Sequence, residues 1–379
     1  MKTPRDWVTR PLSQFVSLQR GFDLPTHARV PGSVPVLSSG GVNGSHNEAK
    51  VDGDNFVIGR ATNIGRPTWS SVPFWPLNTT LFVKDFLGNF PKFCFYWFLA
   101  TDLSGFDSGS VQPMLNRNYI ANIPVAIPSF VEQRRIAGVL GALDDKIESN
   151  QAVVTHAEQL IDEIAEQKAT DLPTVALSEV CSLSKSTWKP DTSSDQTVDL
   201  YSLPAFDEGA VPEQAAVSSI KSNKTLMDRP GILVSRLNPR ISRMWWVETD
   251  ATPVSVCSPE FAYLTAGDMH GLACTWLAVR SPKFRGEIID RVTGTSGSHQ
   301  RVRPADLMTI GVPDYRSLAE HTQMTVLTLL HLVSARRQQS VALAELRDAL
   351  LPELMSGRMR VDEAGCLVSE ALDEEVADV

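Results

Sequence analysis

Val131-Glu132-Gln133-Arg134-Arg135-Ile136 opens a segment in which Ile136, Leu140, Leu143, Ile147, Asn150, Val154, Ala157, Ile161 and Ile164 step by four and three residues without a break. Steps of four and three keep side chains on one stripe of an α-helix, and a sustained heptad makes that stripe a seam for a second helix. The spacing predicts one helix over 131–168, about 55 Å long at the ordinary rise per residue. The other reading is an amphipathic helix lying on its own domain. Nine seam positions, with Asn150 the one polar member, favour pairing of helices. A second helical segment lies downstream. Val326, Leu329, Leu330 and Val333 make one apolar patch and Leu343, Leu346, Leu350 and Leu354 another, with Arg336-Arg337-Gln338-Gln339-Ser340 between them. Ile136, Leu140, Leu143, Ile147, Val154, Ile161, Leu343, Leu346 and Leu350 are therefore expected to hold the helices together as an antiparallel coiled coil.

The sequence before each helix looks duplicated. Leu12-Ser13-Gln14-Phe15-Val16-Ser17-Leu18 resembles Leu177-Ser178-Glu179-Val180-Cys181-Ser182-Leu183. Ser108-Gly109-Ser110-Val111-Gln112 returns as Ser296-Gly297-Ser298-His299-Gln300, and Ile127-Pro128 as Val312-Pro313. The same motifs in the same order at a near-constant offset point to internal repetition. Phe56-Val57-Ile58-Gly59 and Gly231-Ile232-Leu233-Val234-Ser235 read as short buried strands, and Pro and Gly punctuate both regions. The expected architecture is α+β, with two similar strand-rich domains, each followed by a long helix. The expected boundaries are 1–130, 131–170, 171–313 and 314–361, with an acidic, disordered tail over 362–379.

The chain has 379 residues and a net charge of −9. That charge is unevenly spread. Residues 131–170 carry 4 basic and 8 acidic side chains and residues 314–379 carry 6 and 12, whereas 221–303 carry 12 and 7. Basic faces are thus available in the globular parts, and the acidic helices suit protein partners. No apolar run is long enough for a membrane span, and Met1 to Trp7 contain no apolar core of a secretory signal. The five cysteines are scattered without a Cys-x-x-Cys pair. They suit free thiols in a reducing cytoplasm rather than disulfides or zinc.

Catalytic signatures are missing. There is no phosphate-binding Gly-x-x-x-x-Gly-Lys-Ser/Thr loop, no Gly-x-Gly-x-x-Gly after a strand and no His-Glu-x-x-His. The base-gripping tetrad of amino-methyltransferases is absent, and no carboxylate cluster resembles a nuclease core. The seven histidines are scattered, so no catalytic and no metal-binding residue is assigned.

Candidate DNA contacts are more distinct. In each half arginines follow a strand in a polar turn, with Arg60, Asn63 and Arg66 in the first and Arg236, Asn238, Arg240 and Arg243 in the second. Arg and Asn carry forked donors and acceptors that match guanine and adenine edges. An ordinary hairpin with solvated arginines is the alternative. The small polar motif contributes Ser108, Ser110 and Gln112, and in the second half Ser298 and Gln300 running on to Arg301 and Arg303. Its hydroxyls and amides suit a phosphate or a structural turn. Trp69, Trp75, Trp245 and Trp246 are expected in packing rather than base stacking.

The order of these parts, together with Glu132-Gln133-Arg134-Arg135-Ile136 and the ending Leu350-Leu351-Pro352-Glu353-Leu354-Met355-Ser356-Gly357, resembles the specificity subunits of type I restriction–modification systems. The resemblance covers the chain to about residue 365. Glu320-His321-Thr322-Gln323 departs from it at the second helix. It implies a non-catalytic subunit whose two target-recognition domains each read half of a bipartite site in double-stranded DNA, with the helices as spacer. It further implies two partner methyltransferase subunits that methylate adenine with S-adenosylmethionine, and two motor–nuclease subunits using ATP and magnesium. None of these cofactors would bind this chain. A self-contained DNA-modifying enzyme, or a coiled-coil adaptor of another defence complex, is the competing reading.

Overall fold

Phe56, Val57 and Ile58 are all buried, so the strand that carries them is covered on both faces. This computed structural model describes residues 6–106, 114–191, 196–249, 253–292 and 300–373. The chain divides into two compact units, one of residues 1–146 and 343–379 and one of 147–342.

In the first unit, strands Ser17–Arg20, Thr80–Asp85, Asn55–Gly59 and Pro67–Ser70 form an antiparallel sheet in that order. Helix Pro91–Ala100 covers one face. Proline begins the helix where its missing N–H costs nothing, and Phe93-Cys94-Phe95-Tyr96-Trp97-Phe98 are all buried. Phe95 meets Phe56 edge-on at 5.8 Å, and Phe93 meets Phe15 at 6.1 Å. A three-stranded sheet follows the order Gly41–His46, Val34–Ser38, Trp75–Pro76, the last two parallel. Val8–Pro11 pairs with Pro124–Ile127 and closes the domain just before its long helix.

The second unit repeats this plan. Ser182–Leu183, Phe261–Thr265, Gly231–Ser235 and Met244–Val247 make the same four-stranded order, covered by helix Met269–Arg280. Thr174–Ala176 pairs with Gly311–Pro313. The equivalence extends to single hydrogen bonds. Leu12 N donates to Ile123 O and Ser13 N to Ala121 O, as Leu177 N does to Ile310 O and Ser178 N to Met308 O. The copies have also diverged. The smaller sheet has grown to five strands around the parallel pair Thr197–Tyr201 and Val254–Cys257, and helix Pro282–Asp290 has been added.

A helix runs from Phe130 to Ala169 and another from Glu320 to Ser356. Gln133 explains the start of the first. It is 2% exposed, its carboxamide donates to Asn89 Oδ1 at 2.9 Å and Pro128 O at 3.1 Å, and its oxygen accepts from Phe90 N at 2.8 Å. Half-buried Gln323 repeats the local part of this in the second helix, donating to Leu318 O at 3.0 Å, also five residues back. Gly357 ends that helix at φ 68°, a left-handed position that favours glycine.

In the first unit Ile136, Leu140, Leu143, Leu343 and Leu350 are buried and Leu346 is half-buried, and Arg347 pairs with Asp144 at 2.9 Å. In the second unit Val154 and Ala157 pack with Val333, Asn150 bonds Gln339 and Arg337 pairs with Glu158. Rising numbers meet falling ones, so the helices run antiparallel there. Ile147 is half-buried. Ile161 is buried in a larger cluster that joins Leu177, Leu277 and Tyr315 of the domain core to Val326 and Leu330 of the second helix. The tail needs a correction. Val361–Asp373 is a helix with Val361, Ala364 and Val368 buried. Counting acidic residues there hid an amphipathic spacing that buries one stripe and leaves the carboxylates outside. Residues 374–379 lie outside the described ones.

Candidate nucleic-acid interface

The strand Asn55–Gly59 and the strand Gly231–Ser235 each lead into a turn held by an arginine at its first position. Arg60 N donates to Thr79 O, and its carbonyl accepts from Leu115 N at 2.9 Å. Its guanidinium turns back onto the same segments, with Nε donating to Leu115 O at 3.3 Å and Nη1 to Asn78 O at 2.9 Å. Arg236 reproduces every contact. Its N donates to Glu260 O and its carbonyl accepts from Val302 N, while Nε donates to Val302 O at 3.1 Å and Nη1 to Pro259 O at 2.8 Å. Partial burial lowers both guanidinium pKa values from the ordinary arginine value. Arg20 adds to this at Arg60, while at Arg236 Glu260 works against it. Two of three guanidinium nitrogens are thus spent on backbone carbonyls, and Arg60 and Arg236 hold the turns in place rather than projecting freely as the sequence suggested.

Asn63 and Asn238 lie inside the turns at φ 49° and 47°. Asparagine tolerates this left-handed region better than most residues. Arg66 N and Ile241 N donate back to their carbonyls, so both asparagines shape the turn. Asn63 Nδ2 is also pinned to Ser39 O at 3.1 Å.

The segments that follow the small polar motifs dock onto these arginines. Asn238 N donates to Gln300 O, and Leu237 bridges Arg301. Two candidate regions far apart in sequence therefore meet. Ser108, Ser110, Gln112 and Ser298 lie outside the described residues.

The remaining cations differ. Arg243 is clasped by Asp207 at 2.6 and 2.8 Å, which lowers the Asp207 pKa and raises that of Arg243. Arg301 is paired with Glu260 at 3.1 and 2.6 Å. Arg66, Arg240 and Arg303 are exposed, and their side chains have no hydrogen-bond or ion-pair partner among the described residues. A cavity of about 230 Å³ lies beside Arg240, walled by Ile241, Ile288 and Arg285. Trp75, Trp245 and Trp246 are buried, and Trp69 packs on Phe95 with Lys92 4.5 Å over its ring.

Sequence reading missed one basic pair. Arg20 is exposed beside Arg60, and both reach the carbonyl of Asn78. The strand registers, Leu18 opposite Val83 and Leu183 opposite Leu264, make Lys185 its counterpart. Arg20 is a lone cation at the end of a short edge strand and Lys185 lies just beyond one, so neither gave a local signal. Among the described residues no cluster of His, Cys, Asp or Glu could hold a metal, and no helix is long and apolar enough to cross a membrane.

The same domain is built twice, each copy presenting an arginine-held turn and leading into a long helix. Residues 4–159 match the family model described as the type I restriction modification DNA specificity domain, and the second unit repeats that fold. That match spans the first domain and most of the helix Phe130–Ala169. Among solved structures, the type I restriction–modification S subunit from M. genitalium aligns over 93% of this chain and 98% of its own, at 15% identity and a TM-score of 0.60. That likeness speaks to the fold. The HsdS subunit from Thermoanaerobacter tengcongensis aligns over 96% of this chain and 97% of its own at 15% identity, with a TM-score of 0.31 that is too low to bear on the argument. No curated protein matches the sequence.

Proposed function

We propose that this chain reads a bipartite site in double-stranded DNA, one half-site per domain, and presents it to partner enzymes in the cytoplasm. The observation that carries this reading is the arginine-held turn built twice, atom for atom, with an exposed arginine on each copy. Base edges fall to Arg66 in the first half and to Arg240 and Arg303 in the second, because these guanidinium groups are forked and uncommitted among the described residues. Arg20 and Lys185 sit alongside as phosphate contacts, which orient a protein without reading sequence. The polar motif containing Ser108, Ser110, Gln112, Ser298 and Gln300 belongs with them. The two long helices act as a coiled-coil spacer between half-sites. Two methyltransferase subunits would supply S-adenosylmethionine and methylate one adenine per half-site. Two motor–nuclease subunits would supply ATP and magnesium.

The test is a genome-wide map of methylated adenine in cells with and without this chain. A two-part motif that disappears with the chain is the expected result. Arg66→Ala and Arg240→Ala should each relax one half of that motif. Methyl transfer by the purified chain alone, or equal loss of both halves in each variant, would overturn the reading.

A further inference from the structure

Within the second unit the long helices meet around a side chain that apolar packing does not explain. Asn150 is 1% exposed and lies mid-seam. Its Nδ2 donates to Gln339 Oε1 at 2.8 Å and to Ser340 Oγ at 3.3 Å. Gln339 Oε1 also accepts from Arg336 at 3.1 Å, and Ser340 Oγ donates to Arg336 O at 2.9 Å. One to two turns along, Val154, Ala157 and Val333 restore an apolar contact. The polar layer is therefore short, and the Asn150 amide nitrogen has both its partners on the other helix.

The second helix changes phase at the same place. Val326, Leu330 and Val333 are buried at steps of four and three, and Leu343, Leu350 and Leu354 are buried at heptad spacing again. Leu343 is ten residues beyond Val333, however, where an unbroken heptad would place seam positions seven and eleven residues on. The first helix shows no such break between Ile136 and Ile164. A three-residue phase shift in one strand of a helix pair disturbs the local winding, and here the polar layer occupies that point.

We infer that Asn150, Gln339 and Ser340 form a register lock that fixes how far the two helices slide along each other, and that they are positioning residues for the spacing of half-sites. A slip of one heptad would bring Asn150 opposite Leu332 and Val333, or opposite Leu346 and Arg347. The first alternative leaves a buried carboxamide without a partner. A single buried asparagine in a helix seam selects register for this reason. The inference rests on the bipartite reading proposed above and deepens it.

The experiment uses the full chain assembled with its methyltransferase partner. Methylation is measured on a panel of duplexes whose half-sites are constant and whose spacer changes one base pair at a time. The parent complex should prefer one spacer length. Asn150→Leu should reduce that preference by about tenfold or more, the scale set by leaving or removing one buried polar partner, with half-site preference and the thermal midpoint retained. Unchanged spacer preference in a folded Asn150→Leu complex overturns the lock and spares the bipartite reading. A parent complex indifferent to spacer overturns both. If Asn150→Leu does not fold, Gln339→Leu removes the same acceptor from the other helix and must relax spacing, or the lock is wrong.

Discussion

Arg60 and Arg236 show how one residue type divides into two tasks. Both donate Nε and Nη1 to backbone carbonyls of segments distant in sequence. Charged donors to such acceptors are worth about 2 kcal/mol when lost. Arg60→Ala should therefore destabilise its domain by about that amount in urea titration. Arg66→Ala should leave stability within about 0.5 kcal/mol, as exposed substitutions usually do, while lowering DNA affinity. The reverse pattern would return Arg60 to the reading surface. The cysteines supply a second expectation. Burial pushes Cys181 and Cys257 up to about 12 and Cys274 to about 11, and raises Cys94 as well. Cys366 is exposed. At pH 8 a thiol reagent should label one cysteine per native chain and five after denaturation. A thiol whose folded pKa lies above its unfolded value of about 8.5 favours folding fully below that value. Stability should accordingly fall as pH rises from about 8.5 towards 12, seen as lower urea midpoints at pH 10.5 than at pH 8.

The long helices were legible from heptad spacing, because a seam is a property of local sequence. What anchors them was not. Gln133 sits in a motif that read as a helix start, and its function lies in contacts with Asn89 and Phe90, more than forty residues earlier. Gln133→Ala should cost about 3 kcal/mol, since Phe90 N and Asn89 lose buried partners, measurable as a lowered denaturation midpoint of the full chain. A loss below about 1 kcal/mol would show that water replaces the carboxamide. Gln323 keeps the contact five residues back, to Leu318 O, so the altered motif Glu320-His321-Thr322-Gln323 preserves that local bond at the helix start. Val361–Asp373 carries the opposite lesson. Its carboxylates dominated the composition, yet three small apolar residues, Val361, Ala364 and Val368, decide its state.

At the scale of the whole molecule, two domains of one plan predict separable behaviour towards DNA. Binding of the assembled complex should weaken steeply with salt, because each neutralised phosphate releases counterions. Arg20→Ala and Lys185→Ala should each reduce the magnitude of that logarithmic slope by about one and weaken all sequences alike. Arg240→Ala should instead weaken the cognate half-site by about 1–3 kcal/mol and leave a mismatched one unaffected. A uniform loss with Arg240→Ala would move it into the phosphate class. Sequence alone determined the repetition, the two helices and the α+β character, since periodicity and ordered motifs survive in one dimension. It also placed the arginine turns correctly in both halves. Tertiary structure alone decided which arginines are committed. Arg60 and Arg236 are spoken for by carbonyls of Asn78, Leu115, Pro259 and Val302, and Arg243 by Asp207. A guanidinium is free or occupied according to neighbours brought in by the fold, and those neighbours leave no mark beside it in the chain.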